Sequence, residues 1–401
     1  MNITGIITEY NPFHNGHKFH LEEAKKQTNC DGVICIMSGN FVQRGGPAIV
    51  DKWQRTEMAL NNGVDLIIEL PTFYAVSSAE FFAKGAVSIL NSLGVVDNIF
   101  FGSECGDSKK LLEIAKVLVS EDSDFQNLLK RNLSLGLTFA KSREKSLIEY
   151  LNDEDINNIV TSSNNILGIE YIKAILKLGS SINPVTLRRE GSNYNDKEIS
   201  TSFSSATSIR EVLKSSSPIE NIKNLIPLES YEIFSKLQEE NYDFIFDEEM
   251  FKYIKYKIQT NCINFNNLYE ITEGLENKII KEISSSNSYD EFILKIKSKR
   301  YTYSKISRLL THIYLGLDND YFKNIEDTNN LYARVLGFNK KGREILSLIK
   351  SNSSIPLITK VPRFSDNPLL KFDLQATAAY SILNNKVNPY NDYLKSPIIK
   401  Y

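Results

Sequence analysis

The first half of the chain alternates short apolar runs with longer amphipathic stretches, and that alternation leaves few folds open. Residues 3–9 (ITGIITE), 33–37 (VICIM), 64–70 (VDLIIEL), 96–101 (VDNIFF) and 183–188 (NPVTLR) are too short for helices and are bounded by turn residues. Runs of this kind suit strands of a parallel sheet buried on both faces. Helical stretches lie between them at 17–29, 52–62, 78–93 and 108–120; two more, 122–150 and 164–178, form an insertion before the last strand. Parallel neighbours need crossover connections, so the pattern predicts a doubly wound α/β layer.

After residue 215 the alternation stops. Amphipathic stretches at 217–238, 247–258, 266–283, 289–297 and 302–315 predict a mostly helical second domain. The serines at 215–217 and Pro218 mark the boundary, dividing the chain into 1–215 and 216–401. A length of 401 residues agrees with more than one core. The tail from 384 (NNKVNPYNDYLKSPIIKY) is expected to be irregular or docked at an edge.

No apolar run approaches the length of a membrane span, and MNITGIITEY reads as a strand rather than a signal peptide. Cys30, Cys35, Cys105 and Cys262 show no CxxC spacing. A cytoplasmic protein with reduced thiols is expected. The net charge of -2 excludes a uniformly basic protein, but not a local basic face for phosphate.

Only four histidines occur, and His14, His17 and His20 fall within TEYNPFHNGHKFH at 8–20; His312 lies far downstream. Pro12 and Asn15-Gly16 force a turn after the first strand, and a helix is expected to start near His17. In an open α/β sheet ligands bind beyond the carboxyl ends of the strands. A helix start there offers unpaired N–H groups and a positive dipole end to phosphate. Gly16 lets a ligand approach the backbone, and His14 and His17 can donate to phosphoryl oxygens as charge develops. A zinc site on the HxxHxxH spacing is the competing reading; Asn15-Gly16 is expected to break any helix carrying all three. No metal site is predicted.

His14-Asn15-Gly16-His17 resembles the HxGH signature of the HIGH-type nucleotidyltransferases. Residues 204–210 (SSATSIR) resemble the ISSTxIR motif that closes the nucleotide site in the same superfamily, with Ala206 and Phe203 as departures. A plain helix cap at Ser204 or Ser205 is the alternative there. Further segments are similar to the bacterial tRNA(Met) cytidine acetate ligase family: 39–60 (GNFVQRGGPAIVDKWQRTEMAL), 69–87, 100–107 (FFGSECGD), 162–175, 187–196 (LRREGSNYND), 299–310 and 331–346. Glu190 departs from the small or apolar residue expected in that loop.

The resemblance implies a Rossmann-like ATP-binding domain followed by a helical tRNA-binding domain. It implies that ATP activates acetate as acetyl-adenylate, with Mg²⁺ on the phosphates. The acetyl group then passes to the exocyclic amine of the wobble cytidine of elongator tRNA(Met). His14, His17 and Arg210 are the implied catalytic residues. The implied ATP site comprises Ile7, Thr8, Glu9, Tyr10, Asn11, Pro12, Phe13, His14, Asn15, Gly16, His17, Lys18, Phe19 and His20. It continues with Gly102, Asn165, Arg188, Arg189, Ser205 and Thr207. Gly102 would admit the adenosine; Asn165 is either a ligand reader or a helix cap. Asp51 is expected to cap a helix from which Lys52 and Arg55 could reach phosphate.

Residues 295–308 (KIKSKRYTYSKISR) hold six cations: Lys295, Lys297, Lys299, Arg300, Lys305 and Arg308. Tyr301 and Tyr303 interleave with them. Such a segment can neutralise phosphates and stack on unpaired bases, so it is the expected tRNA contact. Arg334, Lys340, Lys341 and Arg343 are a possible extension. A small-molecule adenylyltransferase of the same superfamily is the alternative function, and a non-catalytic tRNA-binding protein a third; the intact HxGH speaks against the latter. The oligomeric state is not legible.

Overall fold

The computed structural model describes residues 1–189, 205–215, 218–269, 271, 274–325 and 330–401. Phe203, Ser204 and Glu190, named above, lie outside the described residues. The first half follows the expected order: β1 (Ile3–Thr8), α1 (Asn15–Thr28), β2 (Gly32–Ser38), α2 (Lys52–Asn61), β3 (Leu66–Leu70), α3 (Ala79–Ser92), β4 (Asn98–Ser103) and α4 (Ser108–Ser120). The insertion is α5 (Ser123–Ser134), α6 (Phe139–Leu151) and α7 (Ser163–Lys177), with a short helix before α7, and β5 (Asn183–Arg188) follows. The stretch 122–150 therefore forms two helices, because Gly136 turns the chain at φ 76°.

The sheet runs β5-β4-β1-β2-β3 with all neighbours parallel. β2 lies inside it and buries all seven residues. β5 lies at the edge, which is where a strand containing Pro184 fits. The chain moves from β1 through β2 to β3, then returns to β4 on the other side of β1. The reversal opens a crevice beyond the carboxyl ends of β1 and β4.

After α8 (Ala206–Lys214) come helices, among them α9 (Glu248–Gln259), α10 (Tyr289–Ile296) and α11 (Tyr303–Leu315). Among the described residues of the 266–283 stretch the α-helix is Leu275–Ile283, after a 3-10 turn at Phe265–Asn267. The expectation of helices here misses strands: β6 (Ala333–Phe338) joins β3 antiparallel, pairing Arg334 with Glu69. β7 (Leu357–Ile358) and β8 (Ile398–Ile399) both pair with β6, so the tail is docked at that edge.

Buried charge holds this return in place. Lys52 Nζ lies 2.6 Å from Glu69 Oε1 and 2.9 Å from Asp392 Oδ1. Arg334 lies 3.1 Å from Glu69 Oε2 and 3.0 Å from Asp392 Oδ1. Two cations and two carboxylates thus tie α2, β3, β6 and the tail together. Lys52 and Arg334 are 1% and 3% exposed, so Lys52 does not reach phosphate and Arg334 does not extend the basic tRNA surface, as expected from sequence. Both are consumed by these pairs, since a buried charge needs a partner.

Candidate active site

The crevice is walled by the loops that follow β1, β2 and β4 and by Arg189 at the end of β5. Arg55 is fully buried and fixes two of them. It donates to the carbonyls of Glu9 at 2.6 Å, Ser38 at 3.0 Å and Val50 at 3.1 Å, and also to that of Gly39. Its sequence-based role at phosphate is therefore wrong: every bond goes to the backbone of these loops. Asp51 does cap α2, accepting from Trp53 N at 2.8 Å and Gln54 N at 3.2 Å.

Residues 7–20 divide by direction. Ile7 and Thr8 end β1 and are only partly buried. Glu9 accepts from Gln43 N at 2.6 Å, and Asn11 Oδ1 from Ile49 N at 2.8 Å. Pro12 is buried, and the Tyr10 and Phe13 rings pack in the core at 2% and 0% exposure. Tyr10, Pro12 and Phe13 can therefore meet a ligand only through backbone. Tyr10 sits at φ 46°, a conformation costly for a bulky residue.

The helix begins at Asn15, earlier than expected, with His14 as its cap. Gly16 N donates to His14 Nδ1 at 3.0 Å, and His14 N donates to His17 Nδ1 at 3.4 Å. Asn15-Gly16 thus open the helix rather than break it. Asn15 turns away, its amide and side chain donating to the carbonyls of Leu225 and Asn224 at 3.2 and 3.0 Å. Lys18 faces Glu229 at 3.9 Å, and Phe19 is exposed. His20 packs against Phe100, ring centroids 5.0 Å apart.

Burial, then Arg189 and Arg210, pushes His14 down to about 3. Burial and then His14, His20 and Arg189 hold His17 well below its usual value. Burial and Arg189 bring His20 to about 4. With both Nδ1 atoms accepting from backbone, His14 and His17 are neutral rings whose remaining nitrogen is Nε2. Among the described residues no three His, Cys, Asp or Glu side chains are grouped to hold a metal.

Two arginines frame the histidines. Arg210 donates to Asn11 O at 2.7 Å and to Thr207 Oγ1 at 3.1 Å. Ser205 is committed to capping α8, accepting from Ser208 N at 3.1 Å. Arg189 crosses Gly102, where a Cβ would come within 3.2 Å of its Cγ and 4.0 Å of His20 Cδ2. Arg188 points elsewhere, its Cβ packed on Gly106. Successive residues of a strand alternate, so only one of the pair can face the histidines.

Asn165 proves to be a clamp. Its Oδ1 accepts from Glu104 N at 2.9 Å and Cys105 N at 3.1 Å. Glu104 answers by accepting from Asn164 N and Asn165 N at 3.1 and 2.8 Å. Asn164 Oδ1 then accepts from Arg189 at 3.2 Å. Glu104 and Asn164 were not foreseen, because their partners lie about sixty residues away in sequence.

The basic segment is less open than expected. Tyr301 is 6% exposed and lies under Arg300 and Lys305, whose charges sit 6.0 and 5.2 Å from its ring centre. Tyr303 donates to Asp290 at 2.6 Å, and Lys295 pairs with Glu291 at 2.7 Å. Lys297, Lys299 and Arg300 are exposed. Gly45, in the loop after β2, abuts the α11 backbone at Ser307 and Arg308 too closely for any side chain. The segment therefore adjoins a loop that also bonds Glu9.

The model of the HIGH nucleotidyl transferase family matches residues 1–393. The tRNA(Met) cytidine acetate ligase of Clostridium novyi is 50% identical over 400 residues, 99% of this chain and 99% of that protein. The chain belongs to this ligase family of HIGH nucleotidyl transferases. The ligase of Clostridium tetani is 45% identical over 404 residues, covering 100% of both chains. Crystal structures of Thermotoga maritima TmcAL, 33% identical, superpose with TM-scores of 0.92 (apo) and 0.89 (bound with alpha-thio ATP) over 100% of this chain and 99% of theirs. The family's HxGH signature is thus the helix cap itself.

Proposed function

We infer that the chain is an ATP-dependent ligase that acetylates the wobble cytidine of elongator tRNA(Met). The observation that carries this is the stacked, neutral His14–His17 pair at a helix start, framed by Arg189 and Arg210. Relatives 45–50% identical along the whole chain bear the ligase name. The neighbour bound with alpha-thio ATP supports ATP as the nucleotide.

An acetate oxygen attacks the α-phosphorus of ATP; the bond to the β-phosphate breaks and pyrophosphate leaves. The exocyclic amine of cytidine then attacks the acetyl carbon. The carbon–oxygen bond to AMP breaks, and the amine loses a proton. Neither step needs a nucleophile from the protein; both need positioning and charge neutralisation. The Nε2–H groups of His14 and His17 donate to phosphoryl oxygens, and the α1 amides add a positive dipole end. Arg210 and Arg189 supply fixed positive charge from either side. A Mg²⁺ bound with the nucleotide would neutralise part of the phosphate charge.

Residues 1–215 contain the ATP-site groups. Lys297, Lys299 and Arg300, in 216–401, supply exposed cations for tRNA. No helix among the described residues is long and apolar enough to cross a membrane. A tRNA substrate supports a cytoplasmic enzyme. The test is direct: purified protein with ATP, acetate and tRNA yields 4-acetylcytidine, read by mass, with one AMP per acetyl group. ATP consumption that responds to a phosphorylated metabolite and ignores acetate and tRNA would overturn the reading.

A further inference from the structure

The α5–α6 hairpin has no part in the ATP site, yet its surface is unusual. Its tip exposes Leu135 at 64%, Phe139 at 59% and Leu133 at 38%. Around them, residues 130–145 carry five cations (Lys130, Arg131, Lys141, Arg143, Lys145) against one carboxylate, Glu144, a local balance of +4. Arg131 is held by Glu149, and Lys141 by Glu144. Lys130, Arg143 and Lys145 have no ion-pair partner among the described residues. Arg143 lies over the Phe139 ring, 5.9 Å from its centre.

The hairpin's position matters as much as its charge. Glu80 is held below the usual carboxylate range, against the effect of its burial, by Lys173, Lys177 and Arg143. Arg143 therefore lies near the start of α3. That start follows Ser77, whose carbonyl accepts from Gln43 Nε2 at 3.3 Å, and Gln43 N is bound by Glu9.

We propose that the α5–α6 tip is a second RNA-binding surface, with Lys130, Arg143 and Lys145 on phosphates and Phe139 stacked on an unpaired base. Charge complementarity favours RNA over protein: beyond the two ion pairs, three cations and a net charge of +4 stand around the apolar tip. An exposed aromatic beside an arginine is a platform on which an unstacked base gains contact without sequence readout. Identifying that RNA as the tRNA substrate rests on the ligase reading above.

The experiment uses the full-length protein and an elongator tRNA(Met) transcript. Binding is measured from about 50 to about 200 mM salt for the wild type, for K130Q/R143Q/K145Q and for F139A. Acetate-dependent ATP–pyrophosphate exchange is followed in parallel. The triple variant is expected to raise Kd about 10- to 100-fold and to lower the salt slope by roughly 2–3. F139A raises Kd roughly tenfold at an unchanged slope. Exchange stays at the wild-type level in both, reporting an intact fold. Wild-type Kd and slope in both variants would overturn the proposal. So would a change in oligomeric mass in F139A at unchanged tRNA affinity, which would make the tip a contact between copies. Absence of exchange in the wild type would sink the ligase reading alone, because binding is compared independently of it.

Discussion

The imidazole of His14 stacks on that of His17, with ring centroids 3.7 Å apart and planes 29° from parallel. Both rings accept a backbone amide through Nδ1. A proton on either Nδ1 would break the helix cap and set positive charge against its neighbour. The pair therefore acts through neutral N–H donors.

Removing one ring tests that role. His17→Ala is expected to lower acetate-dependent ATP–pyrophosphate exchange about 10²- to 10³-fold, the usual cost of a lost transition-state donor. Binding of tRNA should stay within about twofold. Equal loss of both activities would make His17 a structural residue. His14 still caps α1 in this variant, and the lost reciprocal bond is worth ~1 kcal/mol, so the variant stays folded.

The same burial makes stability pH-dependent. His14 at about 3 and His20 at about 4 lie below the value of about 6.5 for an exposed imidazole. As pH falls below about 6.5 the unfolded chain takes up these protons first. The contribution is complete above that pH and is lost progressively down to about 4 and then 3. The denaturant midpoint should therefore drop between pH 7 and pH 5, and H14Q/H20Q should drop less. An identical drop in the variant would assign the slope elsewhere, with His312, also held at about 4, the next group to test.

Arg210 bonds Asn11 O and Thr207 Oγ1 through two separate nitrogens. A lysine keeps the charge but cannot reproduce the fork. Arg210→Lys should raise the KM for ATP by about tenfold or more while the protein remains folded, and Thr207→Val should do so to a smaller degree. Wild-type kinetics in the lysine variant would show that charge alone suffices.

How much of this was legible follows from how far apart the partners lie. β1 to β4 could be read because each is a largely buried run between turn residues, and β5, at the edge, because it is a short run between turn residues. His14, His17, Thr207 and Arg210 sit in short contiguous motifs. β6 escaped notice because Arg334 looks like a surface cation until Glu69 and Asp392 are brought beside it. The Glu104–Asn165 clamp is equally silent, since neither residue has a local partner to betray it. Lys52 and Arg55 misled for the opposite reason: a cation near a glycine loop suggests phosphate, and only burial shows otherwise.

Lys52 gives the last prediction. It neutralises Glu69 and Asp392 at 1% exposure, and Lys52→Met would leave both carboxylates to Arg334 alone. Breaking a buried pair by removing one partner typically costs about 3–5 kcal/mol, because the other charge stays desolvated. The variant should therefore unfold at lower denaturant, while its folded fraction keeps a KM for ATP within about twofold of the wild type. Adding Asp392→Asn removes one of the stranded charges and should recover part of the loss. A raised KM at unchanged stability would instead return Lys52 to the phosphate site.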